Sequence, residues 1–577
     1  MPQVIKHRDI GASHDLPDEF HPVLKRVLAA RRITSAAQLN YSLSNLLPYT
    51  GLGGITDASA MIADCMQAGG RLLIVADYDA DGATACALAV RALTAMGAVD
   101  VQYMVPDRFR QGYGLSADVA AAALALAPDI IITVDNGISS IEGVKLAREN
   151  GVDVIITDHH LPGKVLPQAS VIVDPNLDGD QFPSKHIAGV GVMFYVLAAL
   201  RAELRQRQWF ERAGIAEPNL ARFLDLVALG TVADVVSLDY NNRILVANGL
   251  ALIRDGKSSA GIRALLRVAN RSMDKVVASD LGFFIGPRLN AAGRLTDMRL
   301  GIECLLCDDD DRAAAIAGQL DALNRERKEI QNDMHEEALA EIERFEGFDI
   351  ENIPYGVCLY REHWHQGVVG ILASRIKEKL QRPVIAFAAD EEGTLKGSAR
   401  SVAGVHIRDV IEHIATENPG LIAKYGGHAM AAGLTLEKKY LQAFSGFFDE
   451  EVKKIITANG LAHELMTDGE LRAEEFNLGL AEVLRQHGPW GQGHPEPLFD
   501  NQFEIVDSRV VGEKHLKLQL RAPGHDKIVE AIAFNLTDED WPDQTRRVKT
   551  VYRLDVNEFR GRKSLQLIID YLEPVNG

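Results

Sequence analysis

A chain of 577 residues is too long for one hydrophobic core and divides into several domains. Its 47% hydrophobic and 24% charged residues are those of a globular protein, and five scattered cysteines (Cys65, Cys86, Cys304, Cys307, Cys358) exclude a disulfide framework. No apolar run approaches the ~20 residues of a membrane span, and 1–17 lack a signal-peptide core, so a cytoplasmic protein without a membrane partner is expected.

A net charge of -19 argues against a polyanionic partner until its distribution is read. From Asp308 to Glu351 there are 15 acidic and 5 basic residues, so about half of the excess lies in one segment. Arg361–Arg408 carries 8 basic to 5 acidic residues and Arg509–Lys563 carries 12 to 9, each a net +3 that can face a polyanion.

Residues 1–45 are polar and weakly periodic, which predicts an arm with a short helix over Phe20–Ala30. From Arg71 short apolar runs alternate with helical segments. Strands are expected at Arg71–Val75, Val101–Val105, Ile130–Val134, Val154–Thr157 and Val171–Val173, with helices at Ala83–Met96, Ser116–Leu126 and Ser140–Asn150. This alternation predicts a parallel sheet with helices on both faces.

The acidic residues repeat one position in that pattern. Asp77, Asp79 and Asp81 follow the first strand, Asp135 the third, Asp158-His159-His160 the fourth and Asp174 the fifth. A parallel sheet delivers all of them to its carboxyl edge, where open α/β sheets bind ligands. Asp77-x-Asp79-x-Asp81-Gly82 also matches the opening of a calcium-binding EF-hand loop, but its twelfth position is Leu88 rather than Glu and a strand precedes it, so that reading fails. Asp234 ends the apolar run Ala228–Ala233, where a carboxylate is costly to bury unless paired or bound to a cation. Hard carboxylates with imidazoles and no thiolate suit Mn²⁺ or Mg²⁺, and their number suits two ions sharing a bridging Asp. Cys304-x-x-Cys307 lacks the second pair that a zinc site needs.

Apolar residues from Arg312 to Phe345 recur at a spacing near 3.5 behind Asp308–Asp311, which predicts one long connector helix of about 50 Å. A second, smaller α/β unit follows, with strands at Tyr355–Tyr360 and Val384–Phe387 around a helix over Val368–Lys379. Its segments Lys396–Ser401 and Lys424–Ala429 combine small residues with Ser398, Arg400 and His428, which makes them candidate phosphate cradles. Five strand-like runs near Phe503–Val506, His515–Leu520, Ile528–Phe534, Thr550–Asp555 and Ser564–Tyr571 predict a small barrel of the oligonucleotide-binding (OB) type, with an unrelated β-sandwich as the alternative that the pattern leaves open.

Asp158-His159-His160, with Asp77-x-Asp79-x-Asp81-Gly82, Asp135-Asn136-Gly137 and Gly426-Gly427-His428, resembles the DHH phosphoesterase superfamily. Gly112-Tyr113-Gly114-Leu115, Gly230–Asp234, Gly286–Arg294 and Trp364–Gly370 look like its single-strand-specific exonuclease branch, over nearly the whole chain. The resemblance implies an arm (1–45), a DHH catalytic domain (46–300), the connector (301–346), a DHHA1-type substrate domain (347–457) and an OB-type domain (458–577). It implies 5′-to-3′ degradation of single-stranded DNA to 5′-mononucleotides in recombination and DNA repair, by hydrolysis with two ions. Asp77, Asp79, Asp81, Asp135, His159, His160 and Asp234 would be the metal ligands, with Asp79, Asp81, Asp135, His159 and His160 catalytic. Arg108, Arg288, Asn290, Ser398, Arg400, Gly426, Gly427 and His428 would bind substrate phosphates. Partners implied are a single-strand-binding protein, a RecQ-type helicase and mismatch-repair factors; a monomer is expected, since one chain carries every part of the site. Ala76 and Ala399 stand where the family often has Gly, and neither change removes a ligand or donor. The alternative is a DHH phosphodiesterase acting on short oligonucleotides, which the extra C-terminal barrel disfavours.

Overall fold

The computed structural model describes residues 4–11, 15–343, 353–390, 393–459, 464–512, 515–522, 524–534, 536, 546–559 and 561–575. It forms two compact units. The first joins 1–293 and 297–320 to 464–577, and the second holds 294–296 with 321–463.

The chain opens with a short strand, β1 (Val4–His7). Five strands then build a parallel sheet in the order β3-β2-β4-β5-β6: β2 (Arg71–Ala76), β3 (Asp100–Met104), β4 (Ile130–Val134), β5 (Asp153–Thr157) and β6 (Val171–Val173). The central strands are apolar throughout because helices cover both faces, and Leu73, Val75, Ile131, Val154 and Ile156 are fully buried. These strands fall within one residue of their expected positions.

The helix Ala80–Ala95 follows β2 and is packed almost all round, as its run of small residues requires. Asp79 caps it by accepting from the Asp81 and Gly82 amides at 2.9 and 3.1 Å. Gly82 is required by space: a Cβ there would lie 2.7 Å from the Asp77 backbone nitrogen and oxygen.

The long helix runs from Asp310 to Glu343, two residues earlier at its start than expected, and its predicted end at Phe345 lies outside the described residues. In the second unit the strands β7 (Val357–Tyr360), β8 (Val384–Ala389), β9 (Thr394–Arg400), β10 (Lys424–Gly427) and β11 (Ala431–Glu437) form a mixed sheet in the order β10-β11-β9-β8-β7. Both candidate cradles thus sit largely on strands rather than on loops.

In the first unit, β12 (Glu464–Thr467) precedes a closed barrel of β13 (Phe499–Val511), β14 (His515–Arg521), β15 (Ile528–Phe534), β16 (Arg547–Phe559) and β17 (Arg562–Pro574). Its ring order β13-β14-β15-β17-β16, with β15 and β17 parallel, is the partly parallel closure of an OB fold. The first residues do not form a free arm. β1 pairs in parallel with β12, and Val23, Leu24, Val27, Leu28 and Ile33 share one core with Phe476, Leu480 and Phe499 of the barrel domain.

Candidate metal centre

Three segments at the carboxyl edge of the parallel sheet, after β2, β4 and β5, together with one helix end, place the predicted ligands within reach of one another. Three overlapping groups, Asp77/Asp79/Asp135, Asp135/His159/His160 and Asp81/His159/Asp234, each offer ligand atoms lying within 4.8 Å of one another. All seven predicted ligands belong to at least one group, and no cysteine joins any of them among the described residues. Cys304 is buried in the helix Arg299–Leu306, and burial pushes its thiol up to about 12, which leaves it inert.

The Asp81 carboxylate and the Asp135 backbone are held from behind. Both oxygens of Asp81 accept from backbone amides, those of Gly189 (2.6 Å) and Val190 (2.9 Å), at the N-terminus of the helix Gly189–Gln206. Asp135 has a φ of 63°, in the left-handed region that costs a non-glycine residue about 1–3 kcal/mol. Its amide donates to Thr157 O at 3.1 Å, its carbonyl accepts from the Tyr113 hydroxyl at 3.2 Å, and its Oδ1 lies 3.0 Å from His159 Nε2. The same His159 nitrogen lies 3.5 Å from Asp234 Oδ2. Asp234 itself ends the helix Leu224–Ala233.

The electrostatics follow from crowding acidic groups in a buried place. Burial, reinforced by Asp79, raises the Asp77 carboxyl well above its ordinary range and Asp81 to about 7. Asp135 and Asp234 are raised well above theirs by burial and then by Asp81. Without a cation these four carboxyls are pushed toward their protonated forms. Asp77 Oδ1 is buried with no hydrogen-bond donor. Orphaned buried carboxylate oxygens, hard oxygen donors and two imidazoles fit one or two ions of the Mn²⁺ or Mg²⁺ class.

Two residues absent from the predicted ligand set shape the site. Asp158, the first residue of the Asp-His-His run, is fully buried and accepts from His160 Nδ1 at 2.7 Å. Asn136 donates to Val75 O and Val134 O, tying the ends of β2 and β4 together. Asp174, which also follows a strand, is no part of the ligand groups; its Oδ1 accepts from the Asn176 amide, whose side chain in turn donates to His159 O. Position after a strand marks residues of the edge but does not separate those that point into the centre from those that brace it.

The predicted phosphate binders fall in both units. In the first, the Arg108 guanidinium stacks 4.7 Å over the Tyr78 ring. Asn290 accepts from the Ala80 amide at 2.8 Å, bracing the loop of the three aspartates, and Arg288 donates to Phe284 O. In the second unit, Gly426, Gly433 and Ser398 lie in register across β10, β11 and β9. A Cβ on Gly370, in the first turn of the helix Val369–Leu380, would stand 3.0 Å from Arg400 Nη2 and 3.5 Å from Ser398 Oγ. A helix N-terminus, a guanidinium and a hydroxyl around a glycine are groups of the kind that bind anions. His428 donates its amide to Ala431 O beside it. On the barrel, Arg509, Lys517, Gln519, Asn557 and Gln566 help line a polar hollow of about 310 Å³.

Family models match the chain at three places: the N-terminal domain of the DHH family at 71–231, the DHHA1 domain at 352–454 and the RecJ OB domain at 467–571. The single-stranded-DNA-specific exonuclease RecJ of Dickeya dadantii is 52% identical over 98% of both chains, and that of Escherichia coli is 50% identical over 99% of both. This chain belongs to the RecJ family. A crystal structure of RecJ from Thermus thermophilus in complex with Mn²⁺ is 30% identical with a TM-score of 0.78, covering 99% of this chain and 80% of that one. A second, in complex with Mg²⁺, gives a TM-score of 0.72 at 28% identity. The RecJ fold, with DHH, DHHA1 and OB domains, is therefore that of a metal-dependent exonuclease specific for single-stranded DNA. Among the described residues no helix is long and apolar enough to cross a membrane.

Proposed function

We propose that this chain degrades single-stranded DNA from its 5′ end and releases 5′-mononucleotides, in recombination and repair. The observation that carries the reading is the convergence of Asp77, Asp79, Asp81, Asp135, His159, His160 and Asp234 into three overlapping ligand groups at one sheet edge. Bound Mn²⁺ or Mg²⁺ would supply activation of a water and neutralisation of the leaving oxygen. The chain's own contribution is orientation. Gly189 and Val190 fix Asp81, and Asp158 holds a proton on His160 Nδ1 so that Nε2 is the available donor atom. Arg108 and Arg288 are assigned to substrate phosphates in the first unit, and Ser398, Arg400, Gly426, Gly427 and His428 to a terminal phosphate in the second. Residues 46–300 are assigned to catalysis, 347–457 to substrate binding and 458–577 to the strand, with 301–346 as connector. The proposed setting is the cytoplasm, beside a single-strand-binding protein, a RecQ-type helicase and mismatch-repair factors.

The test is digestion of single-stranded DNA labelled at either end, with Mn²⁺, Mg²⁺ or chelator. Immediate release of the 5′ label as a mononucleotide, while the 3′ label stays on shortening strands, is the expected outcome. Early release of the 3′ label overturns the polarity, and release in chelator overturns the metal requirement.

A further inference from the structure

Tyr113 sits between two glycines of positive φ, Gly112 (79°) and Gly114 (67°), in a turn whose far end is tied by the Leu115 amide donating to Ser140 Oγ at 3.0 Å. The turn carries the phenol over the metal centre. There its ring stands edge-on to Tyr78 (5.9 Å, 82°) and to His160 (6.0 Å, 82°), and its hydroxyl donates to the backbone carbonyl of Asp135 at 3.2 Å. That carbonyl belongs to the one predicted ligand with left-handed backbone.

The surroundings of Asp135 say what the contact does. Its amide is fixed on Thr157 O by the end of β5. On its other side the chain is closed in, because a Cβ on Gly189 would lie 2.5 Å from Asp135 Cβ. The carbonyl is the end of the residue left to a side chain. Released, it would let Asp135 relax toward ordinary φ, and the Cβ and carboxylate would turn with it, away from the position 3.0 Å from His159 Nε2.

We propose that Tyr113 is a positioning residue, whose hydroxyl holds Asp135 in the strained backbone that presents its carboxylate to the metal. The inference rests on Asp135 being a ligand, as assigned above. It makes the phenol hydroxyl, rather than the ring, the functional group, and it places the effect on metal affinity rather than on DNA affinity.

The test is Mn²⁺ titration of the full chain by electron paramagnetic resonance, for wild type, Tyr113→Phe and Asp135→Ala, alongside steady-state digestion of a long single strand. Tyr113→Phe keeps the ring and should fold with unchanged thermal stability. It is expected to bind Mn²⁺ about three- to tenfold more weakly, the weight of one hydrogen bond, and to lose turnover at low Mn²⁺ that excess Mn²⁺ restores, with KM for DNA unchanged. Wild-type Mn²⁺ affinity in Tyr113→Phe, or a raised KM that metal does not rescue, overturns the proposal. If Asp135→Ala itself binds Mn²⁺ like wild type, the ligand assignment fails instead, and the two failures are distinguished.

Discussion

Both oxygens of Asp158 are engaged: Oδ1 accepts from His160 Nδ1 and from the His159 and His160 amides, and Oδ2 from the Ile138 amide at 2.9 Å. Burial, the largest single influence, would raise this carboxyl, but His160, the Ile138 amide and His159 together hold it below its ordinary value; burial likewise pushes the His160 imidazole down, but Asp158, Asp234 and Asp77 together raise it to about 9. Asp158→Asn preserves the shape but presents an NH₂ group to one of those donors. We expect it to lower Mn²⁺ affinity or turnover by about 10–100-fold, as loss of an outer partner of a ligating His does; metal titration beside kcat checks this, and a wild-type value for both would remove Asp158 from the mechanism. The pH dependence also lives at this scale. Asp81, raised from 3.8 to about 7, keeps in the folded metal-free chain a proton that the unfolded chain has lost, so its contribution to stability declines as pH rises from about 4 through 7. His160, raised from 6.5 to about 9, contributes stability fully present below 6.5 and lost as pH rises through 9. Both signs agree. Chelated protein should therefore melt progressively lower from pH 5 to pH 9, whereas Mn²⁺ affinity should climb over the same window as the ion displaces protons. Thermal melts with and without Mn²⁺ at a series of pH values measure both slopes.

Among the elements, the sheet and its edge were legible because a buried parallel strand is a short apolar run and the residue after it has only one place to go. Ile130–Val134 and Asp135 illustrate this, since the strand bounds match the apolar run residue for residue. What that pattern does not contain is contact made by a different element. The helix Gly189–Gln206 is apolar from Gly189 to Leu200, so that stretch reads as core, and only the fold reveals that its first two amides grip Asp81. Tyr113 was equally hidden, because a loop residue's target depends on where the loop closes. Glycines of the two kinds can be told apart by mutation. Gly189→Ala forces a Cβ to within 2.5 Å of Asp135 Cβ and should lower Mn²⁺ affinity and turnover at least tenfold while the protein stays folded. Gly318→Ala, on an exposed turn of the long helix with nothing near the new methyl group, should stabilise that helix by about 0.5–1 kcal/mol and leave digestion unchanged. Circular-dichroism melts and single-turnover digestion separate the two outcomes; equal loss from both substitutions would contradict the packing argument.

Across the whole molecule, the part least visible in the sequence is the partnership of segments more than 400 residues apart. Residues 4–33 are polar enough to read as an arm, yet β1 runs beside β12, and Arg31 donates to both oxygens of Asp468 at 2.8 and 3.0 Å with the two side chains almost wholly buried. Leu28 is fully buried between these segments, in the core that also holds Phe476 and Phe499. Pairing of such separation leaves no local signature, because its periodicity is shared with a distant strand and helix, and its loop closure is paid for only when both halves are present. The barrel domain is consequently incomplete without the first 33 residues, and a chain shortened there should lose the barrel's protection rather than only an appendage. Leu28→Ala tests this without truncation. Removing a fully buried leucine side chain should lower stability by about 2–5 kcal/mol, and the destabilised part should be the barrel: proteases should cut first within 464–575, while Mn²⁺ affinity at the sheet edge stays that of wild type. Early cleavage confined to residues 4–33, with the barrel intact, would show that the N-terminal segment merely leans on a domain that stands without it.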